Sequence, residues 1–255
     1  IDCYNAGDVT SGYNNAGGIT GRNNGTIDNC ANAGNIAVKK IANFGRMYNT
    51  VGGITTNMTG AYVRNVLNVG AVSAEEGNTV GGIVANLYAN GTSKGRGKND
   101  ILYAVNYGNV SSPEPITNGM VAGMNTNQTV LESTARVVAY YDDQTAMYGA
   151  YRNQNFEGMH GLTTAQMTSG TPLDSLSTDY WQFDAGKYPV LKSFADEPAL
   201  QAARSMIMTL PAGVTVRDMT ADATLNNGGT WSVNPATYFS ISGSTLKTGA
   251  VPKVK

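Results

Sequence analysis

The chain has 255 residues, of which 31 are glycine and only 14% are charged, with a formal net charge of −1. So weak a charge supplies no field for polyphosphate or an anionic membrane, and no apolar run approaches the roughly 20 residues of a membrane span. Two cysteines are too few for a disulfide framework, and a turn-rich, charge-poor chain points to β-solenoids and sandwiches rather than helical bundles.

Residues 1 to about 160 carry a degenerate repeat. Asn5, Asn32, Asn68 and Asn106 follow one another at intervals of 27, 36 and 38 residues. Each is followed two residues on by glycine (Gly7, Gly34, Gly70, Gly108) and four residues on by an aliphatic residue (Val9, Ile36, Val72, Val110). A second set aligns Gly17, Gly52, Gly81 and Gly119 at intervals of 35, 29 and 38, with Ile19, Ile54, Ile83 and Val121 two places later. No helical period runs through these units. Stretches such as VGGIVANLYA (80–89) cluster β-branched and small residues between Gly and Asn, the pattern of short buried strands.

Units of this length cannot bury a core alone and have to stack on their neighbours. Roughly 30 residues with three short strands and three turns predict one turn of a parallel β-helix, right-handed because parallel crossovers follow the twist of the strand. The aligned aliphatics then form internal ladders, and the aligned asparagines hydrogen-bond from one turn to the next. The aligned glycines suit corners that need positive φ or crowd two backbones. Cys3 and Cys30 share a column with Val66 and Ala104, so both thiols are expected to face inward and stay reduced, although the strand spacing does not exclude a disulfide. Zinc finds no second cysteine pair, and His160 is the single histidine.

Two turns are longer than the rest. Residues 37–50 and 88–100 contain Lys39, Lys40, Arg46, Lys94, Arg96 and Lys98. Insertions in solenoids project from one face, so these six residues are a candidate ligand-binding patch for an anionic glycan. The plain alternative is a pair of solvated loops. They lack the interleaved aromatics of a nucleic-acid platform.

From Thr129 to about Gly158 the repeat degrades, and Tyr140, Tyr141, Tyr148 and Tyr151 gather there. Tyr140 and Tyr141, beside Asp142 and Asp143, are candidates for stacking on a sugar ring, with packing at the end of the stack as the alternative. Residues 161–195 read as a C-terminal cap: TTAQM opens a short helix with Thr as N-cap, and Trp181, Phe183, Tyr188 and Leu191 cover the last turn. The DEP segment (196–198) reads as a linker. Residues 196–255 carry alternating strands separated by turn signals, an incomplete immunoglobulin-like β-sandwich whose remaining strands are expected beyond Lys255. The expected division is thus a β-helix with its cap over 1–195 and a partial sandwich over 196–255. Because the chain opens at Ile1 in mid-repeat, it is expected to be a piece of a longer polypeptide.

The unit GGITGRNNGTIDNCANAGNI (17–36) resembles the GLUG motif, whose pattern is close to GGLVGxNxGTIxNCYAxGxV. DYWQFDAGKYPVLKSF (179–194) is similar to the ending that follows such arrays, and VRDMTADATLNNGGTWSV (216–233) to atrophied bacterial Ig-like modules. The resemblance implies a large secreted or surface-anchored bacterial protein, either an adhesin or a surface enzyme in which these repeats are accessory. It carries no catalytic or binding residues, since the motif positions are structural.

Parallel β-helices also host polysaccharide lyases and glycosidases, which need two carboxylates about 5–9.5 Å apart. Asp142–Asp143 and Glu75–Glu76 are the adjacent acidic pairs of the repeat region, and successive strand side chains point to opposite faces, which makes either a poor couple. No nucleophile elbow accompanies His160, no phosphate-cradling glycine pattern precedes a helix, and no acidic calcium repeat occurs. The expected function is therefore non-catalytic: an extracellular module that presents a ligand as an adhesin does or serves as a stalk, with no cofactor and no nucleic acid. A host or bacterial surface glycan or protein and the neighbouring domains of the same chain are its expected partners. The alternative is an accessory module of a surface enzyme acting on glycans or proteins.

Overall fold

The computed structural model describes residues 1–12, 15–39, 50–75, 79–88, 99–113, 118–119, 121–125, 135–143, 157–205, 217–218, 239–242 and 245–248. They form an all-β molecule with four parallel sheets and two short helices.

The first sheet has six strands in sequence order: Tyr4–Asn5, Thr26–Asn32, Tyr62–Asn68, Asn99–Asn106, Ala135–Asp142 and Met159–Leu162. The second pairs Val9–Ser11, Ile36–Val38, Val72–Ala74 and Val110–Ser111, and the third pairs Asn15–Gly17, Thr50–Gly52, Thr79–Gly81 and Asn118–Gly119. The fourth pairs Thr20–Asn23, Thr55–Thr59, Val84–Tyr88 and Ala122–Asn125. Each strand hydrogen-bonds to the strand at the same place in the next repeat. A repeat therefore contributes four strands where three were expected. The extra break falls at the Gly-Gly pair of the first three units, where the backbone turns between the third sheet and the fourth.

The register follows the repeat columns. Asn5 pairs with Asn32, Asn32 with Asn68 and Asn68 with Asn106. Val9, Ile36, Val72 and Val110 are in line, as are Gly17, Gly52, Gly81 and Gly119. Residues of all four sheets meet in one apolar cluster that includes Ile27, Val63, Ile36, Val72, Val51, Val80, Ile54 and Ile83. Each such side chain contributes about 1.5–3 kcal/mol by leaving water.

The glycine columns are explained by crowding and not by φ. A Cβ on Gly53 would lie 2.1 Å from the Gly82 carbonyl oxygen and 2.5 Å from Asn68 Cγ, and one on Gly70 would lie 1.9 Å from the Gly34 oxygen. Only glycine lets successive repeats close to strand spacing at these places. Positive φ falls elsewhere, on Asp2 (55°), Asn29 (52°), Asn65 (45°) and Tyr103 (61°). These four repeat at the same intervals as the Asn5 column and so hold one equivalent place in successive repeats. Asn and Asp suit the left-handed region because their short side chains hydrogen-bond locally. Asn29 Nδ2 donates to Asp2 Oδ1 at 2.6 Å, and Asn65 Nδ2 to Asp28 Oδ1 at 2.9 Å. Strand Ala135–Asp142 has no counterpart of Tyr103, and the register shifts there.

Residues 162–204 form a strap. Helix α1 (Thr164–Met167) starts with a capping box between Thr163 and Gln166, as the TTAQM reading expects. A two-stranded antiparallel hairpin follows (Trp181–Gln182 with Val190–Leu191), then helix α2 (Pro198–Arg204) with Pro at its start. The expected cap over the last repeat is corrected here: the strap lies across the outer face of the first sheet. Met167, Trp181, Tyr188, Leu191 and Leu200 pack there on Ala31, Leu67, Val105 and Tyr140, which stand in one row over successive strands. Phe194 stacks on Tyr4 of the first repeat at 5.6 Å, and Ser193 Oγ accepts from Asn29 Nδ2 at 2.8 Å. At the other end Thr164 donates to Asp142 at 2.7 Å. Pro198 belongs to this unit, since Leu200 and Arg204 are buried in it. The DEP segment is the entry to a packed helix, and the strap's packing runs on to Arg204 past the expected break at 195/196.

Residues 217–218, 239–242 and 245–248 form a separate three-stranded antiparallel sheet. The remaining residues expected in the Ig-like sandwich lie outside the described ones.

Candidate functional site

Lys39 is exposed at the end of strand Ile36–Val38, with its amide donating to the Ser11 carbonyl at 2.9 Å. Lys40, Arg46, Lys94, Arg96 and Lys98 lie outside the described residues. Their anchors are described, and they differ. The first long turn joins the second sheet to the third, between Val38 and Thr50. The second joins the fourth sheet to the first, between Tyr88 and Asn99. The two turns leave the core at different corners, which corrects the expectation that they rise side by side as one patch. The intervals of a repeat fix which residues are neighbours across it but not which corner an insertion occupies. The Glu75 amide also donates to the Val38 carbonyl at 3.0 Å, so the next repeat places an acidic residue beside Lys39.

Tyr140 and Tyr141 are buried, at 5% and 1% exposure, and neither offers a ring face to a sugar. They follow the alternation of the strand. Tyr141 joins the interior cluster, while Tyr140 points outward beneath the strap, stacks on His160 at 5.0 Å and donates its hydroxyl to the Asp174 carbonyl. Burial and the nearby Asp174 push its phenol up. The same alternation separates the two aspartates: Asp142 is fully buried and Asp143 is exposed. They do not form a carboxylate couple.

The structure gathers a polar lock where strap and sheet meet. Asp142 Oδ2 accepts from Thr164 Oγ1 and from the Tyr188 hydroxyl. Burial, reinforced by the hydrogen bond to Asp142, pushes the Tyr188 phenol far up, so it stays a donor. Tyr188 stacks on Tyr107 at 4.3 Å. Arg204, 1% exposed, donates through Nε to the Tyr188 carbonyl at 3.1 Å and through its terminal nitrogen to Asp184 at 2.8 Å. Burial raises the Asp184 carboxyl, but hydrogen bonds from Gln182 and Arg204 outweigh it and hold the group below the ordinary carboxylate value. The Tyr107 hydroxyl and Trp181 Nε1 are buried without a hydrogen-bond partner among the described residues. The strap's apolar composition signals its burial, yet no motif identifies Tyr107, Asp184 or Arg204 as parts of one network.

The lock closes a surface. Asp142, Tyr107, Tyr188 and Arg204 are buried and Thr164, Gln182 and Asp184 are partly so, with Asp142 and Arg204 turned on partners within the lock. Among the described residues no three His, Cys, Asp or Glu side chains gather as they would to hold a metal ion. No helix among them is long and apolar enough to cross a membrane. No family model matches the chain, and neither a curated protein nor a solved structure matches it.

Proposed function

We propose that this chain is a non-catalytic extracellular module of a larger bacterial surface protein, a right-handed parallel β-helix that holds loops and neighbouring domains away from the cell. The observation that carries the reading is that both faces of the first sheet are already committed, the inner to the apolar core and the outer to the strap. A scaffold filled in this way is rigid and leaves ligand contacts to the loops that leave its corners. In-register pairing of each strand with its counterpart in the next repeat supports the helical winding, and the GLUG-like motif supports the surface location. The accessory-module reading is the same scaffold beside a catalytic domain elsewhere in the polypeptide.

The purified chain is applied to an array of sulfated, sialylated and neutral glycans, and the supernatant is assayed for newly released reducing ends. Adhesin-like presentation gives binding without release. Because the long turns leave different corners, changing Lys39, Lys40 and Arg46 to Ser and changing Lys94, Arg96 and Lys98 to Ser should affect binding independently. A stalk binds nothing on the array. Release of reducing ends in proportion to protein concentration overturns the non-catalytic reading.

A further inference from the structure

Cys3 and Cys30 are the two cysteines of the chain. The pairing of Tyr4 with Ala31 and Asn5 with Asn32 sets them side by side on neighbouring parallel strands. The Cys3 amide donates to Cys30 Sγ at 3.4 Å, and the Ala31 amide donates to the Cys3 carbonyl at 2.9 Å. Each thiol donates to the carbonyl two residues before it, Cys3 to Ile1 at 3.4 Å and Cys30 to Asp28 at 3.2 Å. The sulfurs therefore hold equivalent places in adjacent repeats. Neighbouring strands lie about 4.8 Å apart, inside the roughly 4.4–6.8 Å Cα separation that a disulfide spans.

The two thiols differ in access. Cys30 is buried, while Cys3 is exposed. This corrects the expectation that both face a closed interior. Burial, more than any other influence, pushes the Cys30 thiol up, and the hydrogen bond from the Cys3 amide pulls it partly back. Cys3 is thus the thiol that a dissolved reagent meets first.

We propose that Cys3 and Cys30 are a dithiol that a small-molecule disulfide of the glutathione class oxidises to a strand-to-strand disulfide, stapling the first repeat to the second. The Cys3 thiolate attacks one sulfur of oxidised glutathione, forming the mixed disulfide and releasing one glutathione thiolate. The Cys30 thiolate then attacks the Cys3 sulfur, forming the Cys3–Cys30 bond and releasing the second. Two protein thiols are oxidised, one glutathione disulfide is reduced, and the two protons go to the leaving thiolates. The staple closes a long loop and ties strand Tyr4–Asn5 to strand Thr26–Asn32.

The full-length chain, reduced and then held with oxidised glutathione, is quenched in acid, denatured, alkylated and digested without reductant. A Cys3–Cys30 linked peptide and no alkyl label are expected, with backbone exchange at Tyr4 and Asn5 slowed at least about tenfold. Cys30→Ser should stop at one glutathione on Cys3, and Cys3→Ser should leave Cys30 unmodified in native buffer. Two alkylated cysteines in the treated wild-type chain overturn the proposal, as does a disulfide found only between two chains. Glutathione on Cys30 of the Cys3→Ser chain at the wild-type rate overturns the assignment of Cys3 as the entry thiol.

Discussion

Replacing Asn68 by Ala tests the asparagine column at a fully buried point. Asn68 is fully buried. Its Nδ2 donates to Asn106 Oδ1 at 2.7 Å and to the Gly70 carbonyl at 3.0 Å, and its Oδ1 accepts from Asn32 Nδ2 at 2.8 Å. Truncation removes three hydrogen bonds at about 0.5–1.5 kcal/mol each and opens a gap beside Gly53, so the loss should be about 2–4 kcal/mol. Asn5 is the internal control. It makes the same two donor contacts, to Asn32 Oδ1 at 2.7 Å and Gly7 O at 2.9 Å, but is only partly buried, so water replaces what Ala removes. Asn5→Ala should cost less than about 1 kcal/mol. Equilibrium urea unfolding followed by far-UV circular dichroism measures both, with hydrogen exchange confirming that the same unit unfolds. Equal losses for the two variants would refute the argument that burial makes the column stabilising.

Gly53→Ala should prevent the third and fourth sheets from closing, because its Cβ would meet the Gly82 oxygen at 2.1 Å, whereas Gly25→Ala meets nothing within 4 Å and should leave the thermal midpoint unchanged. Tyr188→Phe strips a donor from buried Asp142 and should cost about 1–3 kcal/mol, while Tyr107→Phe removes an unpartnered hydroxyl and should be neutral or stabilising in the same urea assay. Asp184 contributes stability that is fully present above its ordinary value of 3.8 and is lost as pH falls through its lower folded value. Proteolytic release of the strap should therefore rise in acid below that range, and Asp184→Asn should flatten the rise. Trypsin in neutral buffer should spare Arg204, which is 1% exposed.

What the sequence determined by itself is the lateral order of the repeats. Asn5, Asn32, Asn68 and Asn106 recur because an amide bonds its own kind one strand spacing away, and glycines such as Gly34, Gly53 and Gly70 recur because a carbonyl of an adjacent repeat stands where a Cβ would go. Such identities report neighbours directly, so the columns and their register are legible before any coordinates. The capping box at Thr163 is legible for the same reason, being written in residues three apart. Tertiary structure alone decided the matters that depend on unlike residues meeting. Trp181, Tyr188 and Leu191 announce burial, but an apolar side chain does not specify its partner, and whether the strap closed the end of the stack or lay along its flank turned on the row Ala31, Leu67, Val105 and Tyr140 being free to receive it. The two basic turns have similar composition yet leave different corners, since composition carries no direction around the core. Cys3 and Cys30 share a column, yet one thiol is exposed and the other buried, a difference that their common place in the repeat does not carry.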